Sequence, residues 1–131
     1  MVGILIVCHG SFGEALIHCA SHVLGKRPVR VRQCGITVND DPDAILPQAQ
    51  DLVGQLDNGG GVLVFTDMLG ATPSNVATRL IRPGRVEVVS GVNLPMLIRA
   101  LTYRNEPLAL VVEKAVSGGC EGVVHIVAPG P

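Results

Sequence analysis

Two stretches of this chain are apolar from end to end, and each stops at polar residues that lead into a helical pattern. Ile4-Leu5-Ile6-Val7-Cys8 breaks off at His9-Gly10-Ser11. Val62-Leu63-Val64-Phe65 ends at Thr66-Asp67 and continues through Met68-Leu69-Gly70-Ala71-Thr72-Pro73-Ser74-Asn75. A strand without polar alternation must be covered on both faces, the condition found in parallel sheets flanked by helices. In such open α/β sheets, ligands and chemistry sit at the carboxyl ends of the strands. The polar residues that terminate these two runs are therefore the first candidates for function.

The remaining segments fit the same plan. After Val2–Cys8, Ser11 is a candidate N-cap with Glu14 at capping-box spacing. Phe12, Ala15, Leu16, Cys19, Ala20 and Val23 then recur at helical spacing up to Gly25. Val29–Ile36 alternates and reads as a more exposed, edge-like strand. Asn39-Asp40-Asp41-Pro42 starts a helix that runs to about Asp57, with Pro47 expected to shorten or bend its first turn. Thr72 as N-cap with Pro73 at the first helical position opens a third helix, which ends before Pro83-Gly84. Arg85–Ser90 is a short strand, and Asn93 can cap the helix carrying Met96, Leu97, Ala100 and Leu101. Leu108–Val116 is a further helix closed by Ser117-Gly118-Gly119, and Val123–Val127 is a last strand. The order βαβαβαβααβ implies a doubly wound, mostly parallel α/β sheet of about five strands with helices on both faces. A chain of 131 residues is expected to form a single domain.

Composition removes several classes of function. Hydrophobic residues make up 47% of the chain but aromatic ones only 2%, so the core is aliphatic and bases have almost nothing to stack on. The ten Lys and Arg are dispersed and the formal net charge is −1, which argues against a nucleic-acid partner. No apolar run approaches the ~20 residues of a membrane span, and no basic segment precedes the first apolar run. A cytoplasmic protein without direct membrane insertion is expected. The cysteines Cys8, Cys19, Cys34 and Cys120 contain no C-x-x-C pair and read as reduced thiols.

The first and third strands of a doubly wound sheet are often neighbours across the switch point, which would set His9 opposite Asp67. A carboxylate bonded to one imidazole nitrogen fixes the tautomer, orients the ring and stabilises positive charge on it. The other nitrogen is then free as base or nucleophile. Helix amides from Gly10 and Ser11 onwards and around Thr72 would favour an anion. Histidine, carboxylate and anion cradle together describe a phosphoryl acceptor.

At these residues the chain resembles the mannose-type enzyme IIA component of the bacterial phosphoenolpyruvate-dependent sugar phosphotransferase system (PTS). The resemblance rests on Ile6-Val7-Cys8-His9-Gly10, on Thr66 to Asn75, and on Gly91-Val92-Asn93-Leu94-Pro95-Met96-Leu97, and it covers nearly the whole chain. After Asp67 the family pattern has an aromatic residue and glycines before a serine–proline pair, where this chain has Met68-Leu69-Gly70-Ala71-Thr72-Pro73. The resemblance implies that His9 is phosphorylated by the histidine-containing phosphocarrier protein and passes the group to a IIB partner. It implies further that Asp67 holds the ring and Thr72 approaches the phosphate. It also implies an antiparallel last strand and a homodimer formed through that edge. No cofactor and no metal is called for.

Other readings compete. The same fold could serve a phosphocarrier subunit for dihydroxyacetone kinase, a non-catalytic regulatory module, or a hydrolase using His9–Asp67 as base. His18 and His22 have metal-ligand spacing, but no further ligand is placed and a solvated helix face is expected. Cys8 should point away from His9, because adjacent strand residues face opposite sides, and should serve packing.

Overall fold

The computed structural model describes residues 1–131. Its elements are β1 (Gly3–His9), α1 (Phe12–Leu24), β2 (Val31–Ile36), α2 (Pro42–Leu56), β3 (Val62–Thr66), α3 (Thr72–Thr78), β4 (Val86–Ser90), α4 (Leu94–Tyr103) and α5 (Leu108–Glu121). The four strands form one parallel sheet in the order β2-β1-β3-β4. The chain builds outward from β1 in one direction, returns to β3 on the other side, and continues to β4. The switch point thus lies between β1 and β3, the two wholly apolar runs.

Alternation along β1 feeds two cores. Ile4, Ile6 and Cys8 join Leu63 and Phe65 under α1, α4 and α5, through Ile17, Leu97 and Val111. Leu5 and Val7 join Val62 and Val64 under α2 and α3, through Ile45, Ala49, Val76 and Ala77. Every one of these side chains is buried, which is why the two central strands carry no polar residue before their last position.

The α/β class and the helices on both faces agree with the sequence reading, while the strand count does not. The sheet has four strands, all parallel. Val123–Val127 pairs with nothing and its valines and Ile126 are exposed. Ser117-Gly118-Gly119 does not close a helix; α5 runs through it to Glu121. The reason is packing against α4. A Cβ at Gly118 would lie 2.6 Å from Arg99 Cβ, and one at Gly119 would lie 2.5 Å from Met96 Cε. These glycines bring two helices together and do not break one. Asn93 locks the same contact: its Oδ1 accepts the Met96 N–H at 2.9 Å and its Nδ2 donates to the Gly119 carbonyl at 3.1 Å.

Four local expectations also shift. Ser11 occupies the N-cap of α1 but makes no side-chain cap bond, so the capping box with Glu14 does not form. Ala71 caps α3, and Thr72-Pro73 form its first turn. The face of α1 buried on the sheet is Gly13, Ile17 and Ala20, leaving Phe12, Cys19 and Val23 exposed. Pro47 lies within α2, which runs unbroken from Pro42.

Candidate functional site

The last residue of β1 and the first residue after β3 meet at the switch point. His9 Nδ1 and Asp67 Oδ2 are 2.7 Å apart. The same oxygen accepts the backbone N–H of His9 at 2.9 Å, and the other carboxylate oxygen accepts the Met68 N–H at 3.0 Å. One carboxylate therefore grips His9 by main chain and ring together, which leaves the ring little freedom. Burial by itself would raise the Asp67 pKa, but the bonds from the His9 backbone and ring outweigh it and hold the group below the usual carboxylate range. An ionised Asp67 on Nδ1 keeps the proton there and leaves the lone pair on Nε2.

The pair is asymmetric in exposure. The His9 side chain is 53% exposed and that of Asp67 only 13%. None of the four surface concavities includes either residue. The imidazole lies outside them all, and Phe12, Met68 and Leu69, which follow His9 and Asp67 in the chain, are exposed.

The other predicted residues fall as follows. Gly10 turns the chain out of β1 with φ +51°, and its N–H is already donated to the Ile36 carbonyl at 3.0 Å. Ser11 is exposed, and its amide has no acceptor within the chain. Thr72 opens α3 with its hydroxyl unbonded, while Ser74 Oγ receives the Gly70 N–H at 3.1 Å and closes that loop. Cys8 is buried, accepts the Gly13 N–H at 3.2 Å, and has its pKa pushed by burial up to about 11, so it is a thiol at neutral pH. His18 and His22 are exposed and meet edge to face at 5.0 Å. No cluster of three or more His, Cys, Asp or Glu side chains is disposed around a metal position.

One participant escaped the sequence reading. Gln33 reaches across from β2 beneath the start of α1, where Oε1 accepts the Glu14 N–H at 2.8 Å. The available signal was a polar residue in line with buried Val31 on the strand face turned to α1.

Comparison with known proteins identifies the family. The family model for EIIA-man, the PTS system fructose IIA component, matches residues 3–116. The chain belongs to this family. A curated member, the mannose-specific EIIAB component of the PTS from Escherichia coli K12, is 30% identical over 99% of the chain. The chain spans 43% of that relative's length. Among solved IIA structures, EIIA from Streptococcus agalactiae superposes with a TM-score of 0.84 at 28% identity, covering 95% of this chain and 97% of the other. The mannose/sorbose IIA subunit from Enterococcus faecalis gives 0.87 at 22% identity, covering 99% and 98%, and shows the shared fold. No helix here is long and apolar enough to cross a membrane.

Proposed function

We propose that this protein carries a phosphoryl group on His9, taking it from the histidine-containing phosphocarrier protein and handing it to a IIB partner in the cytoplasm. The observation that carries this reading is the Asp67 carboxylate 2.7 Å from Nδ1 of a half-exposed histidine. With Nδ1 protonated and bonded, Nε2 attacks the phosphorus of the donor phosphohistidine. The Nε2–P bond forms as the donor N–P bond breaks, and its electron pair stays on the donor imidazole. The positive charge that develops on His9 lies beside Asp67. In-line placement and charge stabilisation are all that such a transfer demands.

An imidazole on open surface suits a partner that is itself a protein, since a small substrate would need an enclosing pocket. The Ser11 amide and the Thr72 hydroxyl are free donors for phosphoryl oxygens. Gly10, whose amide is engaged, contributes the turn. A relative whose name couples an A to a B component supports the choice of a IIB acceptor.

The reading is tested with purified upstream phosphotransfer proteins and phosphoenolpyruvate. Wild type takes up label and His9→Ala takes up none; label retained at the same level in that variant sinks the assignment. A homodimer forms through the free edge of β4, with Val123–Val127 as the covering strand. That segment is extended in composition, apolar and exposed, with Ile126 86% accessible. Removing residues 123–131 is expected to halve the mass seen by sedimentation equilibrium, and an unchanged mass refutes this mode of pairing.

A further inference from the structure

We propose that Gln33 is a positioning residue for phosphoryl transfer at His9. Its side chain, together with the Cys8 thiol, ties down the turn that follows His9. The proposal rests on the reading of His9 as the phosphorylated residue.

The turn from Gly10 to Glu14 joins the site histidine to α1, and the first turn of any helix has N–H groups without intrahelical partners. Here two of them are taken from beneath. The Glu14 N–H goes to Gln33 Oε1 at 2.8 Å and the Gly13 N–H to Cys8 Sγ at 3.2 Å. The two acceptors are themselves joined, with the Cys8 thiol donating to Gln33 Oε1 at 3.4 Å. Gln33 Nε2 closes the ring of contacts by donating to the Gly10 carbonyl at 3.4 Å. One amide thus holds both ends of the turn, at residue 10 by its donor and at residue 14 by its acceptor.

The backbone is shaped around this strut. A Cβ at Gly13 would sit 2.9 Å from Gln33 Cβ, and one at Gly35 would sit 2.1 Å from the Gly10 carbonyl oxygen. Any side chain at either position would push the turn off β2. The Ile36 carbonyl accepts the Gly10 N–H, so β2 meets the turn through main chain and side chain alike.

What the strut leaves alone defines its purpose. The Ser11 amide has no acceptor within the chain, whereas those of Gly10, Gly13 and Glu14 are all engaged. This free amide lies two residues after His9. Asp67 orients the ring from the end of β3, and Gln33 fixes from β2 the turn whose Ser11 amide meets the phosphoryl oxygens. Without the strut, the ring stays oriented but that amide loses its fixed spacing to Nε2. Misplacement of this kind lowers the rate of the chemical step without changing how the donor docks.

The experiment compares wild type with Gln33→Met, which keeps length but bonds nothing, and Gln33→Ala, which leaves room for water to satisfy the Glu14 N–H and so preserves the fold. Initial rates of phosphoryl transfer are measured against concentration of the phosphorylated phosphocarrier protein. The expected result is a kcat lowered about tenfold in both variants with KM within about twofold of wild type. The 15N shifts of the His9 ring should stay unchanged, because the Asp67 bond is untouched. A wild-type kcat in Gln33→Ala, or a loss carried by KM alone, overturns the proposal. Absence of label on His9 in wild type defeats the phosphocarrier reading itself, whereas normal labelling of wild type and of both variants defeats only the strut.

Discussion

The two ends of the sheet handle charge in opposite ways. At the carboxyl ends of β1 and β3, His9 stands half-exposed against a carboxylate, and the neighbouring Ser11 amide is left unbonded. At the amino ends, Arg104 is 6% exposed and meets no carboxylate. Its Nε and Nη2 donate to the Val2 carbonyl at 3.1 and 2.9 Å, Nη1 to Val29 at 2.6 Å, and Nη2 again to Arg30 at 3.0 Å. Arg30, with φ +54°, sends Nη2 to the Gln55 and Leu56 carbonyls at the end of α2. Burial, and secondarily the charge of Arg30, lower the Arg104 pKa to about 10, so the group remains charged at neutral pH. One end of the sheet spends its polar groups on closing the fold. The other keeps an acceptor nitrogen and an amide donor available.

That contrast makes separable predictions. Asp67→Asn should cost the most after loss of His9 itself. A roughly hundredfold slower transfer is expected, with the fold intact by circular dichroism, because an amide can satisfy the ring without stabilising its charge. Near-wild-type transfer in Asp67→Asn would remove the carboxylate from the chemistry. Arg104→Met should do the reverse. It strands the Val2 and Val29 carbonyls, leaves that of Arg30 with only the Ile4 N–H, and lowers stability by about 3 kcal/mol in urea unfolding. Transfer per folded molecule should be unaffected, and a variant as stable as wild type but slow in transfer would break the comparison.

The smallest effect lies in acid. The folded pKa of Asp67 is below its unfolded value, so its contribution to stability is complete above the ordinary carboxylate pKa of about 4 and is lost as pH falls through the folded value. Urea unfolding of wild type and Asp67→Asn between neutral and acid pH should show a stability difference that shrinks on acidification. A difference that grows would contradict the bonding seen at Asp67.

Much of this was legible before the structure. The unbroken apolar runs required burial on both faces, and β1 and β3 are the two central strands. His9 and Asp67 were marked by standing where those runs end. The errors have a common origin in groups whose role is set by a distant neighbour. Gly118 and Gly119 look like a helix stop, yet they are the contact surface for Arg99 and Met96. Ser11 has cap spacing to Glu14, yet Gln33 from another strand takes the Glu14 amide. Phe12 and Val23 belong to the apolar period of α1, yet the sheet selects Gly13, Ile17 and Ala20. Local preference is worth about a kilocalorie per position and yields to packing.

The sequence by itself determined the kinds of element, their order, and the polar residues at the ends of the apolar runs, because periodicity and turn chemistry act within a few residues. Tertiary structure decided which strand ends adjoin. The His9–Asp67 bond spans 58 residues and the Cys8–Gln33 bond 25. Both exist because β1 lies between β2 and β3 in the sheet. That order is set by which apolar faces cover one another, and no local stretch of the chain encodes it.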